Sequence, residues 1–147
     1  MAAAKKSQGE RHICAVCGGP AVRAMRPRVI RYRERRTTIA QPAWWCLACD
    51  EGMLDAADAA LADRAFAGLR AGVEGVLAPA EIARIRKRLG LSQRRAGALL
   101  GGGARAFQRY EAGAVIVSRP MSNLLALLDR NPDLLAELET RERAAAE

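Results

Sequence analysis

Apolar residues in the second half of the chain recur at steps of three and four, the period of helices with one buried face. Ile82, Ile85 and Leu89 form the first such stripe. Pro79 opens it, where a missing N–H costs nothing, and Gly90 closes it. Ser92 suits an N-cap, so a second helix is expected over Gln93 to Leu100 with Ala96, Leu99 and Leu100 inward. Gly101, Gly102 and Gly103 make a tight turn into a third helix, from about Ala104 to Glu111, with Phe107 and Tyr110 in the core and Gly113 as its stop. Ser118-Arg119-Pro120 opens a fourth helix carrying Leu124, Leu125, Leu127 and Leu128. Asn131-Pro132-Asp133 opens a fifth, which runs to about Arg143. Upstream, Leu54 to Gly75 is alanine-rich, with Leu61, Phe66, Leu69 and Val73 at helical steps. Gly68, Gly72 and Gly75 weaken its end, and residues 70–77 read as a hinge.

The first third has another period. From Arg28 to Ile39, β-branched residues and arginines alternate roughly two by two, as in a strand pair with one wet face and a turn near Glu34-Arg35. Around it stand Cys14, Cys17, Cys46 and Cys49, two C-x2-C pairs separated by 28 residues. A two-residue gap aims two thiolates at one point about 2.3 Å from a metal ion, and two such knuckles complete a tetrahedral shell. No βαβ pattern surrounds them, as a thioredoxin-like redox pair would require, and paired knuckles are more typical of zinc than of an iron–sulfur cluster. The expected cofactor is one structural Zn2+. Four thiolates leave no open position for a catalytic water, so a zinc enzyme is disfavoured. His12 reads as a bystander, and at least one of Trp44 and Trp45 is expected to cover the zinc site.

The fold class expected is therefore mainly α with two domains. A small α+β four-cysteine zinc-binding domain covers 1–69, a hinge 70–77, and a five-helix helix-turn-helix domain 78–147. Half of the residues are apolar and only 4% aromatic, a mix that suits short packed helices. The N-terminal Met1 to Glu10 holds no apolar run of signal-peptide length, which points to the cytoplasm, where thiols stay reduced and disulfides are disfavoured.

Charge sharpens the reading. The net charge of +8 favours polyanionic partners. Between Ile82 and Tyr110 stand eight basic residues and no acid: Arg84, Arg86, Lys87, Arg88, Arg94, Arg95, Arg105 and Arg109. Arg105, Gln108 and Arg109 share one face of the third helix, and arginine and glutamine are side chains that read guanine and adenine in the major groove. Gln93, Arg94 and Arg86 complete the expected DNA-binding set, Arg86 and Arg94 as phosphate contacts. Such modules bind palindromic duplex DNA as homodimers, and the faces around Leu124, Leu128, Leu134 and Leu138 are candidates either for the dimer contact or for the domain's own core, Leu124 and Leu128 in part for the core. From Arg23 to Arg36 there are seven arginines against Glu34 alone, either a second contact for a polyanion or partner, or a solvated edge strand kept from aggregating by its charge.

The run Gly101-Gly-Gly-Ala-Arg-Ala-Phe-Gln-Arg-Tyr-Glu-Ala-Gly113, the following Leu-Leu-Ala-Leu-Leu-Asp-Arg-Asn-Pro-Asp-Leu-Leu and the two knuckles together resemble the MqsA-like antitoxins with a YgiT-type zinc finger. The resemblance covers nearly the whole chain. It implies a type II toxin–antitoxin antitoxin and no enzyme. The zinc domain would neutralise an mRNA-cleaving toxin, and the C-terminal domain would dimerise and repress its own operon. Arg109 matches the family's base-contacting arginine, whereas Arg105 stands where the family pattern has asparagine, which changes the operator to be expected. A zinc-containing regulator without a toxin partner is the alternative.

Overall fold

The computed structural model describes residues 12–145; residues 1–11, on which the signal-peptide expectation rests, and residues 146–147 lie outside it. Four strands, β1 (His12–Ile13), β2 (Pro20–Tyr32), β3 (Arg35–Cys46) and β4 (Gly52–Met53), form one sheet in that order. Six helices follow: α1 (Ala56–Glu74), α2 (Pro79–Arg88), α3 (Gln93–Leu99), α4 (Ala106–Glu111), α5 (Arg119–Arg130) and α6 (Leu134–Ala145). This is the small α+β cysteine region and five-helix C-terminal region that the hydrophobic pattern predicts.

The chain makes two compact units. The described parts of Met1–Arg28 with Thr38–Leu61 form the first, and Val29–Thr37 with the described part of Ala62–Glu147 the second.

The hairpin strands are longer than the Arg28–Ile39 alternation suggests. Proline disfavours a strand, but among the described residues Pro27 and Pro42 both lie where β2 and β3 have no outer neighbour. There β1 pairs with Pro20 and Ala21, and β4 with Trp44 and Trp45. A one-sided strand tolerates a residue without an N–H. The turn falls at Arg33-Glu34, one residue earlier than expected, with Arg33 at φ 51°, a left-handed conformation that normally favours glycine.

In the first unit, Asp55 and Asp58 cap the start of α1 reciprocally. The Asp58 N–H donates to Asp55 Oδ1 at 2.9 Å, and the Asp55 N–H to Asp58 Oδ2 at 3.2 Å. Arg23 of β2 forks onto both Asp58 oxygens at 2.6 Å, and Gln41 of β3 donates to the Asp58 carbonyl. Strand and helix are thus tied through one nearly buried carboxylate.

In the second unit, residues 70–74 continue α1, which ends at Gly75 with φ +67°. Beyond it, the Leu77 N–H donates to Ser122 Oγ. Ile82, Ile85, Leu91, Ala96, Ala106, Phe107, Val117 and Leu125 make the core, with Leu99, Leu100 and Tyr110 partly buried against it. Leu128, offered either to a dimer contact or to the core, is 1% exposed within a single chain and belongs to the core; Leu134 is 44% and Leu127 55% exposed.

Candidate metal centre and nucleic-acid interface

Each cysteine pair sits in a short knuckle closed by local backbone bonds. The Cys14 N–H donates to the Gly19 carbonyl and the Cys46 N–H to the Glu51 carbonyl, both at 2.9 Å. Inside each loop an amide points at the first sulfur, Val16 at Cys14 and Ala48 at Cys46. The residue after each second cysteine is left-handed, Gly18 at φ +72° and Asp50 at φ +60°. A Cβ on Gly19 would lie 2.9 Å from the Ala48 Cβ and 3.3 Å from Cys17 Sγ, so the close approach of the knuckles needs glycine there.

The four sulfurs lie within 4.8 Å of one another, with Cys14 and Cys49 3.6 Å apart and Cys17 and Cys46 3.4 Å apart. Four thiolates at 2.3 Å from one ion would stand about 3.8 Å apart, so one tetrahedral metal ion fits with little movement. Electrostatics agree. The Cys49 and Ala48 amides bring the Cys46 thiol down to about 6. At Cys49 the Glu51 amide favours the thiolate, but the Cys17, Cys46 and Cys14 sulfurs outweigh it and push the thiol up to about 12. Four thiolates this close repel one another, and a divalent cation removes the conflict. His12 is not among the clustered donors; it stacks on Trp44 with ring centroids 4.5 Å apart. Trp45 donates its indole N–H to the Ala24 carbonyl, and Arg26 lies over its ring at 4.1 Å.

In the second unit, α3 and α4 are joined by Gly101, Gly102 and Gly103, all at positive φ. Ser92 caps α3 by accepting from the Arg95 N–H at 3.1 Å. A Cβ on Gly97 would fall 2.1 Å from the Gly103 carbonyl oxygen, so this glycine sets how closely α3 meets the turn. Arg105 is the residue just before α4, and Arg105, Gln108 and Arg109 are all exposed, as is Arg94 on α3.

Tertiary pairing divides the eight basic residues in half. Arg84 and Arg88 both reach Asp129, and Arg95 reaches Glu142. Arg86, expected as a phosphate contact, is a correction. Its guanidinium donates through Nε and Nη2 to Glu111 and through Nη1 to the Leu91 carbonyl at 2.7 Å, and the residue is 9% exposed. A guanidinium used up on internal acceptors has none of its charge to offer a phosphate. Glu111 also accepts from Gln93 Nε2 at 2.9 Å. Burial pushes the Glu111 carboxyl up, but hydrogen bonds from Arg86 and Gln93 outweigh it and hold it below the usual range. Lys87, Arg94, Arg105 and Arg109 have no acidic partner among the described residues. The acids that do the pairing lie 25 to 47 residues from their arginines, beyond any local spacing rule.

The hairpin arginines divide similarly. Arg23 pairs with Asp58 and Arg26 with Asp50, while Arg31, Arg35 and Arg36 are exposed and without an acidic partner among the described residues.

No helix among the described residues is long and apolar enough to cross a membrane. Residues 12–139 match the family described as the antitoxin component of bacterial toxin-antitoxin system, MqsA. The antitoxin MqsA of Escherichia coli (strain K12) is 34% identical over 131 residues, 85% of this chain and 98% of that protein.

Proposed function

The chain belongs to the MqsA family of antitoxins, regulatory components of bacterial toxin–antitoxin systems rather than enzymes, and from that premise we propose that it is a cytoplasmic autorepressor as well as an antitoxin. Its cysteine region holds one structural Zn2+ and neutralises a ribonuclease-type toxin. Its C-terminal helices bind a palindromic operator as a homodimer.

The observation that carries the DNA reading is the sorting of charge in the second unit. Of the eight basic residues between Ile82 and Tyr110, internal pairing leaves over Lys87, Arg94, Arg105 and Arg109, on or beside α2, α3 and α4, with Gln93 and Gln108 among them. Cations without internal partners release counterions from DNA when they meet phosphates. Arg105, the N-cap residue of α4, and Arg109 within α4 stand four residues apart at the N-terminal end of the helix that follows the glycine turn, the position from which a helix-turn-helix reads base edges. Leu127 and Leu134, exposed on α5 and α6, give the homodimer an apolar contact once Leu128 is assigned to the core.

The test is binding of the purified chain to duplex DNA from upstream of its own gene, with elemental analysis and co-purification from the native operon. Sequence-specific binding with a steep salt dependence, one zinc per chain and a co-purifying toxin are expected. Absence of specific binding at low salt overturns the repressor reading, and specific DNA binding without a co-purifying protein favours a regulator acting alone.

A further inference from the structure

Glu111 is a carboxylate 10% exposed at the end of α4, the helix given the base-reading role above. Near a polyanion such a charge is unfavourable unless it is neutralised, and Arg86 neutralises it with two hydrogen bonds from α2. One further donor reaches it, Gln93 Nε2 at the first residue of α3. That bond orients the Gln93 amide. A primary amide has two N–H groups and one carbonyl oxygen, and Glu111 takes one N–H. The carbonyl oxygen has no protein partner among the described residues, and Gln93 is half-buried beside the exposed Arg94.

We infer that Glu111 is a positioning residue for Gln93, holding its amide so that the second N–H donates to a DNA phosphate. This rests on the DNA-binding reading above. Gln93 is then a neutral phosphate donor, which strengthens binding without releasing a counterion. Arg86 acts one step further back, as the counter-ion that lets the carboxylate stay ionised in that place.

The experiment is a double-mutant cycle on the full chain with Glu111→Asp, which keeps the charge but withdraws the carboxylate, and Gln93→Met, which keeps the shape but lacks the amide. Affinity for a duplex selected by the wild-type protein is measured across a salt series. Glu111→Asp is expected to weaken binding about 3- to 10-fold, to leave the salt slope unchanged, and to lose most of its effect in the Gln93→Met background. An equal loss in both backgrounds, or wild-type affinity in Gln93→Met, overturns the inference, because Glu111 would then act through the fold alone or Gln93 not at all. If Glu111→Asp fails to fold, nuclear magnetic resonance of the Gln93 side-chain amide in the wild type decides. One exchange-protected proton in the free protein and a shift of the other on adding DNA are expected, and an averaged amide that DNA does not move overturns it. A wild type that binds no DNA at low salt fails earlier and overturns the DNA-binding reading itself.

Discussion

Arg86 of α2 and Glu111 of α4 form a two-bond ion pair in which both side chains are about nine-tenths buried. Removing one member leaves the other as a buried charge without a partner, which costs about 3–5 kcal/mol. Arg86→Ala should therefore lower Tm of the helical unit by on the order of 10–20 °C. Where the variant is still folded, its DNA affinity should keep the wild-type salt slope. Thermal unfolding with salt titration checks both, and a shallower slope at unchanged Tm would return Arg86 to the phosphate contacts.

Arg94→Gln and Lys87→Gln should each flatten the dependence of log affinity on log salt, by about 0.9 for each B-DNA phosphate that is no longer neutralised. Arg84→Gln, Arg88→Gln and Arg95→Gln should leave it nearly unchanged, because Asp129 and Glu142 already hold those guanidiniums. Fluorescence anisotropy at several salt concentrations separates the two sets, and a uniform slope change across all five would refute the division.

Arg105 tests base reading. A guanidinium favours guanine O6 and N7, asparagine favours adenine, and a good pair gives about 1–3 kcal/mol of discrimination. Arg105→Asn should shift one position of each half-site from guanine toward adenine in a binding-site selection. Recovery of the same consensus by both proteins would make Arg105 a phosphate contact.

Metal removal should act on the first unit alone. Both tryptophans, Trp44 and Trp45, lie there, so chelation should shift their emission while the helical circular dichroism of the second unit largely remains. Cys17→Ser should do the same without chelator. Unchanged tryptophan emission in metal-free protein would show that the knuckles hold without an ion.

Asp58 gives the first unit a pH dependence. The Arg23 hydrogen bonds outweigh burial and hold its carboxyl below the usual carboxylate range. A depressed folded pKa contributes stability that is fully present above the unfolded value near 4 and is lost as pH falls through the folded one. The stability advantage of wild type over Asp58→Asn, followed by tryptophan emission, should hold at pH 6–7 and shrink below about pH 4. An advantage independent of pH would remove the ion pair as its cause.

What the residues themselves determined is local. The four-cysteine cluster was legible because each C-x2-C knuckle closes within six residues, Cys14 to Gly19 and Cys46 to Glu51, through its own backbone. The C-terminal helices were legible for a similar reason, since Ser92 and Ser118 cap and the glycines at 101–103 turn within four residues of where they stand. The full reach of β2 and β3 was not, because pairing across a hairpin carries a strand through Pro27 and Pro42, where the local residue type disfavours one. Nor could the sequence say which arginines remain free. A row of arginines without a nearby acid looks uniformly basic, and only folding brings Glu111, Asp129 and Glu142 across 25 to 47 residues to claim four of them. Coulombic attraction depends on distance in space, so chain separation says nothing about it, and the tertiary structure alone decided that Arg86 faces inward while Arg94 does not.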